Sequence, residues 1–215
     1  MSFEARKSEL AILTMMSGKF IQVASEITQN RMEYGERHDI PVHIVLGRVD
    51  KSTAPIWDRH LVAIDLLNRY KWVFWMDADM VFLKMCMDLR DFIGDTDKQI
   101  IMSSAVAGDD YYFFNCGGMF LRSSEWTKGL LRRWRKHGIS ANMTKDQPVL
   151  HGMMGSNDGI VPNIDFRNPS PFNGLYRYIG NEPYKPFVVH YNNMPFHQQV
   201  ANVLWATKNP IREEE

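Results

Sequence analysis

Two aspartates one residue apart close the most apolar run in the chain. Trp72, Val73, Phe74, Trp75 and Met76 lead directly into Asp77-Ala78-Asp79. Alternate residues of an extended segment share a side, so both carboxylates can face one pocket. A run that does not alternate marks a strand buried on both faces, as in the middle of an α/β sheet. Carboxylates there are costly unless paired or metal-bound. A divalent cation at the carboxyl end of a parallel strand removes that cost, and that end is where open α/β sheets bind ligands. Oxygen ligands suit Mg²⁺ or Mn²⁺. The competing reading is a pair of turn or helix-cap aspartates, and the apolar run before the pair favours metal. His190 ends another apolar strand, Phe187-Val188-Val189. It offers either a third ligand or a hydrogen-bonded structural imidazole.

Three further groups could serve such a site. Asn115-Cys116-Gly117-Gly118 sets an amide beside two glycines, which permit close approach of a ligand or backbone, or form a simple bulge. Lys145-Asp146-Gln147-Pro148 opens a helix, with Asp146 as cap or as a carboxylate aimed at a sugar. Trp57 lies in a loop before a helix and is a candidate for ligand contact, whereas Trp72, Trp75, Trp126 and Trp134 read as core. Asp109-Asp110 reads as a solvated turn, and Lys128, Arg132, Arg133, Arg135 and Lys136 as a solvated basic helix face.

The elements that must position these residues follow from the periodicity. Residues 10–16 form a buried strand, and residues 20–38 an amphipathic helix ended by Pro41. Residues 42–47 form a second strand, which implies a parallel pair with a right-handed crossover. Leu61, Ile64 and Leu67 mark a second helix before the central strand at 71–76. Residues 100–104 form another strand, and residues 113–121 a strand or hairpin interrupted by two glycines. Trp126, Leu130 and Trp134 mark a helix, and a further one spans 149–154. The Gly-, Pro- and Asn-rich stretch 152–186 reads mostly as loop, followed by a strand at 186–191 and a terminal helix at 196–208.

Composition narrows the class. The 215 residues suit one domain, and Lys plus Arg (25) balance Asp plus Glu (25). A chain with no net charge lacks the field of a dedicated nucleic-acid binder. Cys86 and Cys116 fall in neither CxxC nor zinc spacing and read as reduced core thiols of a cytoplasmic protein. Neither a signal-peptide stretch nor a membrane-length apolar run is expected. The charged ending Ile211-Arg212-Glu213-Glu214-Glu215 suggests a downstream domain in a longer parent, with a monomer as the default state.

Taken in order, Thr14, Trp57-Asp58-Arg59, Phe74-Trp75-Met76-Asp77-Ala78-Asp79, Asn115-Cys116-Gly117-Gly118-Met119-Phe120-Leu121-Arg122, Lys145-Asp146-Gln147 and Phe187-Val188-Val189-His190 resemble glycosyltransferase family 34. The resemblance covers about Leu10 to Phe196, and the small size is most similar to the amino-terminal glycosyltransferase domain of chlorovirus type. It implies a GT-A fold: α/β, Rossmann-like, with a mixed, mostly parallel sheet flanked by helices. It implies sugar transfer with retention, host cytoplasm for a viral member, and a UDP-sugar donor with Mn²⁺ or Mg²⁺. The acceptor would be a glycan or glycoprotein. By the same resemblance Asp77, Asp79 and His190 hold the metal. Thr14 and Met15 meet the base, and Trp57, Arg59, Asp77 and Ala78 approach the donor. Asn115 and Gly117 line the sugar and acceptor side, and Asp146 and Gln147 sit near the anomeric carbon. The chain departs from the family at Lys145, where an aspartate is common, and at Met194-Pro195, where a diphosphate-binding lysine is common. Lys19, Arg59 or Lys185 are the candidate replacements. Two rivals remain: a haloacid-dehalogenase-type phosphatase, whose DxD normally closes the first strand, and a nucleotide-sugar-binding module without turnover.

Overall fold

The computed structural model describes residues 9–104, 114–156, 159–167, 171–175, 187–191 and 194–210. The Asp109-Asp110 turn, Lys185 and the charged ending lie outside them. The elements are β1 Leu10–Met16, α1 Ala24–His38, β2 Val42–Leu46, α2 Asp58–Leu66, β3 Trp72–Met76, β4 Met80–Phe82, β5 Ile100–Ser104, β6 Phe114–Arg122, α3 Glu125–Ser140, α4 Gln147–Gly155, β7 Ile164–Arg167, β8 Gly174–Leu175, β9 Val188–His190 and α5 Phe196–Lys208.

Six strands form the main sheet in the order β2-β1-β3-β6-β5-β7. β1 pairs in parallel with β2 and β3, and β5 with β7, while β6 runs antiparallel between β3 and β5. The sheet is thus mixed and mostly parallel, as expected. β3 is buried along its whole length, as its unbroken apolar run requires. Its alternate side chains feed two cores. Val73 and Trp75 pack with Trp57, Leu66, Leu130 and Trp134 under α2 and α3. Trp72, Phe74 and Met76 pack with Tyr34, Phe82, Phe120 and Phe187 on the opposite face.

A second, three-stranded sheet, β4-β9-β8, stands at the carboxyl end of β3. A third cluster, including Ile27, Val81, Val189, Tyr191 and Val203, joins α1 and α5 to it. The chain therefore turns at Asp77–Asp79 from one sheet into the other. α1 stops at Asp39, which adopts a left-handed conformation (φ 51). α3 starts at Ser124, whose hydroxyl accepts the Thr127 N–H.

Several expectations are corrected. Of the two readings of residues 113–121 the strand holds: from Phe114 on, β6 is one strand, and its irregularity is a register shift opposite Met102/Ser103. The stretch 152–186 is not mostly loop where it is described, because α4 extends to Gly155 and β7 and β8 pair with longer strands. The first helix opens as a 3-10 turn, Gly18–Val23. Cys116 is buried but Cys86 is only half-buried, and both are free thiols. Among the described residues no helix is long and apolar enough to cross a membrane.

Candidate active site

Asp77 and Asp79 leave the end of β3 on a turn pinned from both sides. The Asp77 N–H donates to the Gly117 carbonyl of β6 (2.8 Å), and the Tyr191 N–H donates to the Asp79 carbonyl (3.0 Å). β4 and β9 pair so that Met80 faces His190. One donor atom from each of Asp77, Asp79 and His190 falls within 4.8 Å of the others. His190 Nε2 stands 3.2 Å from Asp79 Oδ1 and 4.0 Å from Asp77 Oδ2. Gly117 makes this approach feasible, since a Cβ there would lie 2.1 Å from His190 Cε1.

Arg59, on the first turn of α2, bridges two carboxylates. Nη1 donates to Asp77 Oδ1 and Nη2 to Asp146 Oδ2, while the guanidinium lies 4.1 Å from the centre of the Trp75 ring. Asp146 is 6% exposed and immediately precedes α4, so the helix start brings it to the Asp77–Asp79–His190 cluster. Trp134 Nε1 donates to the Asp146 carbonyl from behind (2.9 Å). Gln147 Oε1 accepts the Cys116 N–H (3.2 Å), joining α4 to β6.

These charged groups act on one another at close range. Burial pushes the Asp77 carboxyl up, with Arg59 pulling against it and Asp79 adding to the rise. Burial also opposes ionisation of Asp79, but the His190 imidazole, a backbone hydrogen bond and the Arg31 charge together outweigh it and the net direction is down. His190 is held up by Asp79 and Asp77 despite burial. Burial opposes the charge on Arg59, but Asp146 and Asp77 outweigh it and raise its pKa. An excess of buried negative charge with an imidazole beside it is the setting a divalent cation neutralises. Two carboxylates and one imidazole nitrogen are a fitting donor set for such an ion.

Three residues expected at the donor turn their side chains to the interior. Trp57 is 1% exposed; its ring fills the space over Gly138, where a Cβ would come within 2.0 Å of it, and Nε1 donates to the Met143 carbonyl. It is a core residue, because the loop carrying it is a 3-10 turn folded under α3. Thr14 is fully buried and its hydroxyl accepts from Arg31 Nε (2.9 Å), so it faces the interior. The Ala78 methyl belongs to the apolar cluster with Val81 and Tyr191. Met15 is half-buried on the same strand end, and Asn115 is half-buried on β6.

Three supporting residues were not foreseen. Arg31 is fully buried on α1 and donates to the carbonyls of Asp77 (3.0 Å) and Met80 (2.7 Å), clasping the turn from below. Burial lowers its pKa to about 9, against the pull of Asp79 and Asp77. Gln199 of α5 donates to Asp79 Oδ2 (3.1 Å) and to the Tyr191 carbonyl. Asn173 reaches His190 Nδ1 at 3.0 Å. Arg31 and Gln199 each recur at helical spacing with apolar neighbours, Ile27 and Tyr34 or Val203. That polar residue on an apolar face was the available signal. Asn173 carries no comparable signal.

With this geometry in hand, the relatives are informative. The nucleotide-diphospho-sugar transferase family model matches residues 50–194. The chain belongs to that family. A relative from rice, "Probable glycosyltransferase 3", is 27% identical over 121 residues, covering 52% of this chain and 25% of the relative. The chain thus spans about a quarter of the length of the rice proteins it matches. A solved glycosyltransferase involved in glycosylation of the major capsid of PBCV-1 superposes with a TM-score of 0.75 at 13% identity, covering 91% of this chain and 98% of that one. The glycosyltransferase GlyE of Streptococcus pneumoniae superposes at 0.58 and 14% identity, covering 86% and 56%. Family and fold are those of nucleotide-sugar glycosyltransferases, GT-A-like in architecture, and the phosphatase alternative is set aside.

Proposed function

We propose that this chain is a metal-dependent glycosyltransferase that moves a hexose from UDP to a glycan hydroxyl with retention of anomeric configuration. The observation that carries the reading is the convergence of Asp77, Asp79 and His190 beside the Arg59–Asp146 pair. The mixed oxygen and nitrogen donors favour Mn²⁺ over Mg²⁺. Bound there, the cation supplies Lewis-acid stabilisation of the leaving diphosphate.

The chain's own groups have separate tasks. Arg59 contacts Asp77 with one nitrogen and Asp146 with the other and holds them apart, so that the sugar side and the metal side keep distinct carboxylates. Asp146, held by Arg59, stabilises an oxocarbenium-like transition state rather than attacking it. Gln147 orients the sugar from the start of α4, and Asn115 and Gly117 border the sugar and acceptor. Met15 flanks the base at the end of β1. The acceptor enters on the leaving-group face, and the departing phosphate takes its proton. Two free thiols accord with a reducing, cytoplasmic setting. Residues 1–215 act as one GT-A domain and as a monomer.

The test is thermal unfolding of the wild type and Asp79→Ala with UDP, GDP and UDP-sugars, with and without Mn²⁺. Ligands that bind the native state raise the midpoint by mass action. UDP-sugars are expected to raise it only with Mn²⁺ and only in the wild type. The sugar giving the largest rise then enters a transfer assay, with the product anomer read by NMR. No shift with any nucleotide in the presence of Mn²⁺ refutes the proposal, and an inverted product refutes the retaining route.

A further inference from the structure

Behind His190 lies a chain of amides whose orientation is determined at one end by the main chain. The Gly117 N–H donates to Asn115 Oδ1 (2.8 Å), so the oxygen of that amide, not its nitrogen, faces Gly117. Asn115 Oδ1 also stands 2.9 Å from Asn173 Nδ2. Asn173 Nδ2 further faces the Gly118 carbonyl at 3.3 Å and the Asn115 carbonyl at 3.4 Å. Only an NH₂ group satisfies three oxygens, so the Asn173 amide is oriented as well. Its oxygen must then face His190 Nδ1, 3.0 Å away. An oxygen acceptor there places the ring proton on Nδ1 and directs Nε2 at Asp79 and Asp77.

The packing is built for this contact. Asn173 is 1% exposed and ends the 3-10 turn Pro171–Asn173. A Cβ on Gly118 would lie 2.6 Å from Met80 Cε, 3.1 Å from the Phe172 carbonyl and 3.2 Å from Asn173 Cβ, so the second glycine of the pair lets both the Met80 side chain and this turn pack close. Gly117 makes room for the imidazole ring and Gly118 for the residue behind it.

We infer that Asn173 is a positioning residue for the metal ligand His190, and that the Gly117–Asn115–Asn173 relay selects the tautomer that coordinates through Nε2. The inference rests on the metal-dependent reading above. A partner on the second nitrogen of a metal-binding histidine typically accounts for about 10–100-fold in metal affinity. The relay also connects the sugar-side amide, Asn115, to the metal side through one residue.

The test measures Mn²⁺ affinity without donor, from the free-ion paramagnetic resonance signal, for the wild type, Asn173→Ala and Asp79→Ala. A loss of about 10–100-fold is expected for Asn173→Ala. If the wild type binds Mn²⁺, Asp79→Ala does not, and Asn173→Ala binds as the wild type does, the inference is overturned and the metal site stands. If the wild type itself takes up no Mn²⁺, the underlying reading fails. A second measurement needs no variant: nitrogen shifts of the His190 ring in the Mg²⁺-loaded wild type. A proton on Nδ1 supports the relay, and a proton on Nε2 with Nδ1 bare overturns it.

Discussion

Replacing Arg59 by methionine removes a buried cation while keeping a long, flexible stem against Trp75. In the native protein this guanidinium touches Asp77 and Asp146 at once, with its side chain 10% exposed and theirs 28% and 8%. These groups are largely withdrawn from water, so surface screening does not rescue the pair. Breaking a buried ion pair by removing one partner costs about 3–5 kcal/mol. Here two carboxylates are stranded, but Asp77 keeps some solvent contact, so a loss near the lower end, about 3 kcal/mol, is expected for the metal-free protein. Mn²⁺ should return much of it, since a ligand at about 100 times its Kd contributes about 2.7 kcal/mol to the native state. The direction with pH also follows. Burial already raises Asp77, and losing Arg59 raises it further. A carboxyl raised above its unfolded value destabilises the fold when ionised, so the deficit grows as pH rises through the raised pKa and shrinks below it. Urea unfolding of wild type and variant, in chelator and in Mn²⁺, at acidic and neutral pH, reads all three terms. Equal stability in chelator at neutral pH, or a deficit that Mn²⁺ leaves untouched, refutes the argument that Arg59 balances the metal-site charge.

Gly117→Ala would set a methyl 2.1 Å from His190 Cε1, so calorimetric Mn²⁺ affinity should fall by more than about tenfold. Gly129→Ala in α3, where a Cβ meets nothing within 4 Å, should instead stabilise by about 0.5–1 kcal/mol in urea unfolding. His60 is buried edge-on to Trp75 and Trp134, and burial lowers its pKa from 6.5 to about 3 despite the nearby Asp146. Its contribution is therefore complete above the unfolded value and lost as pH falls towards the folded one; His60→Phe should flatten the stability–pH curve in that window, and an unchanged slope contradicts this. Trp57→Phe loses the bond to the Met143 carbonyl and should cost about 1–2 kcal/mol with donor KM unchanged, whereas a raised KM restores Trp57 to the donor site.

What could be read from the chain was whatever repeats locally. The apolar run of β3 announced a strand buried on both faces, and the aspartates after it announced the cluster. α5 was read to its bounds because its apolar face is regular. β4, β7 and β8 escaped because strands of two to four residues have too few positions to show a period, whereas the equally short β9 was legible from its apolar run Phe187-Val188-Val189 after Pro186. They are strands only because β9 and β5 offer edges to pair with. The burial of Trp57 was illegible for a similar reason. Its position in the chain says loop, and only the fold over Gly138 makes it core. Asn173 and Gln199 act on residues 17 and 120 positions away, a relation that exists only after the sheets have closed.

The small sheet at the end of β3 has a consequence for the protein's birth. Asp77 and Asp79 emerge from synthesis more than a hundred residues before His190 and the bracing Gln199. β4 has no sheet partner until β9 arrives, and α1 leaves open the surface that α5 later covers. Contacts across such sequence distance form late and slowly. A chain arrested before residue 190 holds the acidic half of the cluster and no means of closing it. The three-residue cluster is therefore completed only when β9 and then α5 dock, so its closure reports that translation has run through residues 188–208.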